Sequence, residues 1–441
     1  MDSLWTKTKQ LPTFPALQKD ISTDVLIIGG GMAGILCAWQ LRQAGIDCIL
    51  VEQDRLCSGI TKDTTAKITV QHGLIYHKLI RTFGEEKAKL YLQANQAALE
   101  QYRILCQTID CDFETQDSFV YSPDNRVCIV KETVAFRKLG VDARIRSDLP
   151  LPFPVARAVQ LKGQAQFHPL KFVAAIAAGL PIFEHTKVLE LMPGKAVTSG
   201  GVIRAKKMII ATHFPLLNKH GGYFLKLYQH RSYVLALKGA PQIPGMYVDE
   251  SKTGLSFRPY RDLLLLGGGS HRTGKKGGNW QELEHFAARY FPQAQIVARW
   301  ATQDCMTLDG VPYIGQYAKS TPDLYVATGF NKWGMTSSMA AAMLLGDLVQ
   351  GKEHPWAALF NPSRSMLHPQ LAVNAAESTL HLITPTIPRC PHMGCALKYN
   401  PAEKSWDCPC HGSRFDTEGH LLDNPATDDK KWTKPCEKRL K

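Results

Sequence analysis

The chain has 441 residues, which is room for two or three domains at about 100–200 residues each. Hydrophobic residues make up 44% of it, yet no apolar run is long enough to cross a bilayer, so the composition excludes a membrane-spanning protein. The first twenty residues contain no apolar signal core, and we therefore expect the protein in the cytoplasm.

The formal net charge of +13 is unevenly distributed. Residues 371–441 hold ten Lys and Arg against nine Asp and Glu, which leaves +12 for residues 1–370. A field of this sign favours acidic partners and steers their approach. Because the sequence has no arginine-rich run and no basic stripe interleaved with aromatic residues, we expect no nucleic-acid partner.

The stretch Asp24–Glu52 has the clearest pattern in the chain. It opens with a short β-branched apolar run that is typical of a buried parallel strand. The motif Gly29-x-Gly31-x-x-Gly34 follows directly, and an apolar helical segment then leads to a second apolar run that ends at Glu52. Strand, glycines, helix, strand and acidic residue in this order predict a unit that binds an adenine dinucleotide.

Each part of this unit has a chemical purpose. The glycines permit a tight turn, a close approach of the backbone to a pyrophosphate, and close contact between helix and strand. The helix N-terminus presents free N–H groups and a partial positive charge to the phosphates. Glu52 lies 18 residues after Gly34, where an acidic side chain can accept hydrogen bonds from ribose hydroxyls.

The rest of the chain to residue 360 alternates between predicted helices and strands, after an N-terminal arm at residues 1–20. A loop rich in Gly, Thr and Ser at 57–76 either lines a diphosphate or is an ordinary connection. Helices are predicted at 85–107, 127–139 and 169–178, and strands at 111–121, at 182–191 and, as a pair, at 202–212. Residues 223–317 are rich in strand patterns, and 324–351 predict a strand, a glycine-bearing turn and a helix.

These motifs carry a resemblance to a known family. The matching features are GGGMAG with Glu52, the strand that contains Val188, the residues Ala211–His213, TLDGVPYIG and ATGFNKWGMTSS. On these features, residues 24–360 resemble the D-amino-acid-oxidase-like superfamily of flavoproteins. The resemblance implies FAD rather than NAD. It also implies an α/β fold in which a FAD-binding Rossmann-like domain is interleaved with a mixed-sheet α+β substrate domain.

The resemblance also implies which residues contact FAD. They lie in the glycine motif, in the loop after Glu52, at the ends of two inner strands and in the last glycine turn. The expected FAD-binding residues are Gly29, Gly31, Met32, Ala33, Gly34, Glu52, Thr64, Thr65, Ala66, Val188, Ala211, Gly329, Gly334, Met335 and Thr336.

The sequence departs from the family where substrate is bound. Oxidases of this type usually anchor a substrate carboxylate with a basic residue, and sarcosine-oxidase-like members have a Lys where this chain has Thr336. Arg258, His271 and Lys332 are candidate substitutes, and each has a structural or solvated role as its alternative. Cys305 resembles a cysteine that some relatives link to flavin, but its spacing to the following motif is shorter. We therefore expect non-covalent FAD.

Five of the twelve cysteines lie at residues 390–436, which indicates a metal site rather than a secreted disulfide scaffold. Cys390-x-His392 and Cys408-x-x-His411 are separated by 15 residues. Two Cys and two His can hold zinc, although zinc sites usually take paired cysteines first and paired histidines later. Here each half supplies one Cys and one His.

This arrangement resembles the Rieske [2Fe–2S] pattern, in which two thiolates bind one iron and two imidazoles bind the other. The resemblance implies a small all-β domain with Cys390, His392, Cys408 and His411 as ligands and a disulfide between Cys395 and Cys410. It also implies that Ser413 donates to a cluster sulfur. Phe415 stands where high-potential Rieske proteins have Tyr, so we expect a potential in the lower part of the Rieske range, which spans roughly −150 to +300 mV.

Together the two resemblances predict the domain organisation. The FAD-binding domain is expected at 20–70, 160–215 and 318–360, the substrate domain at 71–159 and 216–317, a linker at 361–370, and the Rieske domain at 371–441.

A flavin accepts two electrons as a hydride, whereas a Rieske cluster carries one electron at a time. We therefore expect an FAD-dependent dehydrogenase that oxidises a small amine or amino-acid-like substrate and passes electrons through the cluster to an external acceptor. The positive net charge of the chain favours an acidic acceptor. Two alternatives remain at this point. One is a reductase that takes electrons from NAD(P)H, although the sequence shows a single dinucleotide fingerprint; the other is a non-catalytic electron-transfer adaptor.

Overall fold

The structure is a computed structural model that describes residues 2–217, 220–251, 254–385 and 388–431. The last ten residues of the predicted Rieske domain, 432–441, lie outside the described residues, and Cys436 is one of them. None of the helices within these ranges combines the length and the apolar character that a membrane crossing requires.

Strands and helices occur along the whole chain. The strands are β1 (Ile21–Ile28), β2 (Cys48–Val51), β3 (Lys67–Ile68), β4 (Glu114–Ser122), β5 (Arg144–Arg146), β6 (Arg157–Gln166), β7 (Ile182–Phe183), β8 (Val188–Met192), β9 (Lys195–Thr198), β10 (Gly201–Ile210), β11 (Leu227–Lys238), β12 (Met246–Asp249), β13 (Ser256–Tyr260), β14 (Leu263–Arg272), β15 (Gln295–Thr307), β16 (Tyr313–Gln316), β17 (Leu324–Thr328), β18 (Lys398–Asn400), β19 (Ser405–Asp407), β20 (Arg414–Phe415) and β21 (Leu421–Asp423). The helices are α1 (Leu4–Thr8), α2 (Met32–Gln43), α3 (Ile75–Phe83), α4 (Glu85–Cys106), α5 (Arg126–Lys138), α6 (Pro169–Ile176), α7 (Tyr223–Lys226), α8 (Asn279–Tyr290), α9 (Gly334–Leu348), α10 (Ala357–Phe360) and α11 (Pro369–Ile383), and a short 3₁₀ helix spans Ile60–Asp63.

The first sheet contains the predicted dinucleotide-binding unit. Its main path runs β16-β17-β10-β1-β2-β7, and β9 joins it beside β10 and pairs in turn with β8. The inner strands β17, β10, β1, β2 and β7 are parallel, which explains the unbroken apolar run of β1. The helices α2 and α9 pack together on this sheet, and Gly346 of α9 permits the approach because a Cβ there would lie 2.9 Å from Gln40 Cγ.

The second sheet is mixed and runs β15-β11-β14-β13-β12-β4-β6-β3, with β5 beside β6. Only β12 and β4 among the pairs described are parallel; the other pairs are antiparallel. The short β3 and the long β6 belong to this sheet, whereas β16 belongs to the first sheet. This sheet lies beside the C-terminal ends of the first sheet's parallel strands and closes the space above them.

The third sheet is the antiparallel order β18-β19-β20-β21, and the helix α11 precedes it. Buried ion pairs hold it on the second sheet. Arg231 of β11 donates to both carboxylate oxygens of Glu403, while Arg414 donates to Glu403 at 2.8 Å and to Asp407 at 3.0 Å. Burial alone would raise the pKa of Glu403, but the two guanidinium groups outweigh it and hold the pKa at about 2. Glu403 therefore stays ionised at neutral pH and binds both arginines.

Three local predictions were wrong. Residues 201–210 form one strand, β10, rather than a pair, because β1 pairs with it along most of its length, with β9 on the other side at its start and β17 at its end. Residues 182–191 form two strands, β7 and β8, rather than one, because β7 pairs with β2 whereas β8 pairs with β9. The N-terminal segment is not a bare arm: it contains α1, whose Trp5 is fully buried. The predicted division into domains stays a prediction.

Candidate active site and cluster site

A cavity of about 590 Å³ lies at the C-terminal ends of β1, β10 and β17. Ligands of open α/β sheets bind at this edge, where the strand order changes direction. Its wall includes the glycine motif, the loop at 57–65, the face of the second sheet, the glycine turn at 327–335 and residues 421–427 at the end of the C-terminal sheet. The cavity therefore connects the predicted flavin site with the predicted cluster domain.

The glycines of the motif show what the cavity is shaped for. A Cβ at Gly34 would lie 1.9 Å from the carbonyl oxygen of Gly29, so Gly34 allows helix α2 to contact the turn. Gly29 has φ +112°, and its Cβ would lie 2.7 Å from the Ala211 carbonyl oxygen. At Gly31 a Cβ would meet only Thr61 Oγ1, at 3.4 Å, which leaves the backbone accessible from the cavity. This cradle fits a dinucleotide pyrophosphate.

Polar groups complete the cradle. The Met32 N–H at the start of α2 donates to Thr61 Oγ1 at 3.0 Å. One carboxylate oxygen of Glu52 accepts from the Gly30 N–H at 2.6 Å and the other from the Asp54 N–H at 3.0 Å. Burial raises the pKa of Glu52. Thr61 was not predicted as a site residue, since a single hydroxyl in a loop has no sequence pattern that marks it.

Most of the residues expected to bind FAD line the cavity: Gly29, Gly31, Met32, Ala33, Glu52, Thr64, Thr65, Val188, Ala211, Gly329, Gly334 and Met335. The other three, Gly34, Ala66 and Thr336, lie behind its wall. Thr336, for example, has its hydroxyl 3.0 Å from His72 Nε2 in the core. The structure thus brings together segments that are up to three hundred residues apart in sequence.

Three side chains hold the Thr64–Thr65 loop in place from behind. Trp5 Nε1 donates to the Thr64 carbonyl at 2.6 Å, and Trp300 Nε1 donates to the Asp63 carbonyl at 2.9 Å. Arg258 donates to the Thr65 carbonyl, and its other nitrogens bond inside the core. Arg258 is fully buried and is not part of the cavity wall. Arg258 therefore has a structural role rather than the substrate-binding role for which it was a candidate.

Lys332 does line the cavity, and it faces hydroxyl groups. Its ammonium donates to Ser270 Oγ and, at 3.3 Å, to Ser232 Oγ. Asp304 of β15 lies on the same wall, and among the described residues its carboxylate has neither a hydrogen-bond donor nor an ion-pair partner. Burial raises the pKa of Asp304 and lowers that of Lys332, while each charge partly offsets the effect on the other. The cavity therefore holds an amine and a carboxyl group that burial disfavours in their charged forms and that form no direct ion pair with each other.

Lys67, which the sequence analysis passed over, also lines the cavity. Its ammonium donates to Thr65 Oγ1 at 3.2 Å. Burial and the positive charge of Arg258 lower its pKa to about 7, so a large fraction is neutral at physiological pH. The third basic candidate, His271, lies outside the cavity wall and stacks on Tyr233 with ring centroids 5.8 Å apart.

Cys305 is a buried thiol of the cavity wall. Its Sγ lies 3.8 Å from Thr328 Oγ1, and burial raises its pKa to about 12. A thiol held protonated is a poor nucleophile. This environment supports the expectation of non-covalent FAD.

The two predicted cluster loops have the same hydrogen-bond pattern. In one, the Cys390 N–H donates to the Cys395 carbonyl at 2.8 Å and the Gly394 N–H donates to the Cys390 carbonyl at 2.9 Å. In the other, the Cys408 N–H donates to the Ser413 carbonyl and the Gly412 N–H to the Cys408 carbonyl, at the same two distances. Two matching loops thus present one cysteine and one histidine each.

The donor groups of these loops converge. The rings of His392 and His411 lie with centroids 4.9 Å apart, and Cys390 and Cys408 belong to the same buried cluster of side chains. The ring nitrogens of the buried His411 lack a nitrogen or oxygen partner among the described residues, and the ring faces the Cys408 thiol. Two buried sulfurs, the buried imidazole of His411 and the half-buried imidazole of His392 in one place fit a Rieske cluster. The Ser413 hydroxyl accepts from the Ala426 N–H at 3.0 Å and is buried in the second loop, where its proton would be available to a cluster sulfur.

The predicted disulfide is not supported. Cys395 and Cys410 are free thiols, although their sulfurs and that of Cys408 all lie within 4.8 Å of one another. The Cys410 thiol donates to the Glu377 carbonyl at 3.8 Å, so the space between the loops holds three neighbouring sulfurs rather than a bonded pair. The neighbouring thiols lower the pKa of Cys408.

Comparisons with known proteins agree with both halves of this site. The model of the FAD dependent oxidoreductase family, of D-amino-acid oxidase type, matches residues 24–348, and that of the Rieske [2Fe-2S] domain matches residues 365–434. The chain is 35% identical to the Rieske 2Fe-2S iron-sulfur protein YhfW of Bacillus subtilis strain 168, over 96% of each chain. It is 22% identical to gamma-glutamylputrescine oxidoreductase of Escherichia coli K12, over 79% of this chain and 88% of that protein.

A solved structure shows the same fold. The glycine oxidase of Geobacillus kaustophilus superposes with a TM-score of 0.66 at 22% identity, and the match covers 78% of this chain and 99% of that one. With these matches, the chain belongs to the FAD dependent oxidoreductase family and carries a C-terminal Rieske domain, so its cofactors are FAD and a [2Fe-2S] cluster.

Proposed function

We propose that this oxidoreductase is a dehydrogenase that oxidises a small amine or amino acid and passes the electrons through its Rieske cluster to an external acceptor. The observation that carries the proposal is the shared cavity: its wall is formed by the FAD cradle, by a polar part of the second sheet, and by residues 421–427 of the Rieske domain. When bound, FAD supplies a hydride acceptor and the cluster supplies a one-electron carrier.

The charged groups of the second sheet support a substrate that carries both a carboxylate and an amine. Lys332, held by Ser232 and Ser270, is placed to bind a carboxylate, since the three groups together form a cationic, hydrogen-bonding site. Asp304, on the same wall, is placed to bind an ammonium group. A substrate that carries both groups would give each of them a direct ion pair, which neither forms with the other. The relatives named above act on an amino acid and on an amine derivative, as their names state.

Lys67 supports a role in proton transfer. A protonated amine must lose a proton before it can give up a hydride. A side chain that accepts this proton works best when its own pKa is near the operating pH. Lys67 lies in the cavity wall with a pKa of about 7, so its neutral form is available to take that proton. Its hydrogen bond to Thr65 orients the amine within the flavin end of the cavity.

The test is anaerobic mixing of the holoprotein with a panel of amino acids and primary amines, with flavin absorbance and cluster circular dichroism recorded together. We expect at least one amino acid to bleach the flavin first and the cluster second. Lys332→Met should raise the concentration needed for bleaching, whereas Lys276→Met, a change at an exposed lysine outside the cavity, should not. Bleaching by NADPH alone would instead establish the reductase, and no bleaching by any compound would favour the electron-transfer adaptor.

Two further expectations belong to this proposal. The electron acceptor is proposed to be acidic, because residues 1–370 carry a charge of +12 of the total +13. The cytoplasmic location and the absence of a nucleic-acid partner stay predictions.

A further inference from the structure

We infer that the segment Ala211–Phe214 is the route by which electrons pass from the flavin site to the Rieske cluster, with Phe214 as its contact to the cluster loop. The inference rests on the proposed function, because it specifies how the two cofactors of that function communicate. Its four residues follow β10 directly and all of them line the cavity.

The segment begins against the flavin cradle. The Ala211 N–H donates to the Ile28 carbonyl at 2.8 Å, which extends the pairing of β10 with β1 beyond the sheet. The Ala211 carbonyl oxygen lies where it would be 2.7 Å from a Cβ on Gly29. The first residue of the segment is therefore packed on the turn that is shaped for the pyrophosphate. The third, His213, accepts a hydrogen bond from Thr328, which directly precedes Gly329, a residue that the family resemblance places against the flavin ring and its ribityl chain.

The segment ends against the cluster loop. Phe214 is fully buried, and its ring meets the imidazole of His392 edge-on, with centroids 6.0 Å apart and planes at 80°. His392 in turn lies beside His411. Three residues of backbone thus separate a cavity-lining carbonyl from a predicted ligand of the cluster.

Both domains hold the segment rigidly. Asn424, which follows the last strand of the Rieske sheet, donates through Nδ2 to the Thr212 carbonyl at 2.5 Å and to the Phe214 carbonyl at 3.3 Å. The Thr328 hydroxyl, at the end of β17, donates to the His213 carbonyl at 2.5 Å. The distance between cavity and cluster loop is therefore set by hydrogen bonds rather than by a mobile connection.

A second phenyl ring provides a natural control. Phe224 of α7 packs on His411 in the same edge-on manner, with centroids 6.4 Å apart and planes at 79°. Phe224 does not line the cavity. Each imidazole thus has a similar contact with a phenyl ring, but only the ring at His392, that of Phe214, also lines the cavity.

The electron balance is simple. Reduced flavin, FADH⁻, gives up two electrons and one proton and returns to FAD. Each electron reduces one ferric iron of the cluster to ferrous iron, and an external one-electron acceptor reoxidises the cluster between the two transfers.

The experiment is laser-flash photoreduction of the anaerobic holoprotein with 5-deazariboflavin and EDTA, which needs no substrate. We expect a first-order phase, independent of protein concentration, in which reduced flavin decays as the cluster is reduced. Phe214→Leu should slow this phase about tenfold, because small losses of contact between reacting groups cost large factors in rate. Phe224→Leu should leave it unchanged. The reduction potentials and the EPR g values should be the same in all three proteins, which separates a lost route from an altered cluster.

The outcomes distinguish the two proposals. A wild-type protein without the first-order phase would overturn the proposed function. A wild-type phase that persists at full speed in Phe214→Leu, or that slows equally in Phe224→Leu, would overturn the route. If Phe214→Leu fails to fold, Asn424→Ala takes its place, because it removes the amide that holds Thr212 and Phe214. An unchanged rate in that variant would also overturn the route.

Discussion

The cofactor sites and the substrate-facing wall are built in different ways. The FAD cradle is centred on one stretch, Gly29–Glu52, and the cluster site on two short loops that begin at Cys390 and Cys408. The substrate-facing wall combines single residues of separate strands, such as Ser232 of β11 and Asp304 of β15. Chemistry that needs several backbone groups at fixed spacing is encoded locally, whereas chemistry that needs a few charges around a space is assembled by the fold.

The largest expected effect tests the local nature of the cluster site. Cys408→Ser should abolish the rhombic EPR signal of the reduced cluster and leave FAD bound, because it removes one ligand from a loop that does not touch the glycine motif. Cys305→Ser, in the wall of the cavity, should keep both cofactors. Loss of both cofactors in Cys408→Ser would show that the two sites are not independent. Retention of the signal would show that Cys408 is not a ligand.

The next effect tests the flavin cradle. Gly34→Ala places a Cβ 1.9 Å from the Gly29 carbonyl oxygen, so it should destabilise the protein by about 1–3 kcal/mol, the usual cost of overpacking, and weaken FAD binding. Gly59→Ala is the control for stability alone, since a Cβ there would meet nothing within 4 Å although the residue also lines the cavity. Urea unfolding with FAD fluorescence measures both quantities. Equal stability of the two variants would contradict the role of Gly34 in close packing.

A smaller effect tests the part of the cavity wall that the second sheet forms, through the pH dependence of protein stability. The pKa of Lys67 is lowered to about 7 in the folded state, whereas the same side chain in the unfolded chain has a pKa of ~10.4. Between these values the unfolded state binds more protons, so the wild type gains stability as pH rises. Lys67→Met should therefore melt at a higher temperature than wild type below pH 7, with an advantage that shrinks towards pH 10. Lys206→Met, at an exposed lysine, should show no such trend. A constant difference across this window would mean that Lys67 is not strained by burial.

The smallest effect concerns the tuning of the cluster. Phe415 is buried among the cluster cysteines, and Phe415→Tyr should raise the midpoint potential because a phenol O–H near a ligand sulfur stabilises the reduced state. A hydrogen bond to a charged group contributes roughly 1.5–3 kcal/mol, of which only part differs between redox states, so the shift should be on the order of tens of millivolts. Redox titration followed by EPR measures it, and Phe415→Leu should leave the potential near that of wild type. A lower potential in the tyrosine variant would contradict the expected hydrogen bond.

Sequence patterns predicted the structure correctly where backbone geometry enforces them. The β1–α2–β2 unit follows the predicted order, because glycine is needed at the turn and apolar residues are needed in a buried parallel strand. The patterns misled where pairing partners decide the outcome. Residues 202–212 were predicted as two strands and form the single strand β10, and Cys395 and Cys410, predicted as a disulfide, are free thiols.

The sequence by itself determined the two cofactors, because both FAD and a Rieske cluster bind to consecutive motifs whose residue types are dictated by phosphate and iron chemistry. Only the tertiary structure decided which basic residues reach the cavity. Arg258 and Lys332 were equal candidates in sequence, yet the core bonds of Arg258 and the cavity position of Lys332 separate them. Lys67 and Asp304 became visible in the same way, because burial and neighbouring charge arise from the packing of distant strands and leave no periodic trace in the chain.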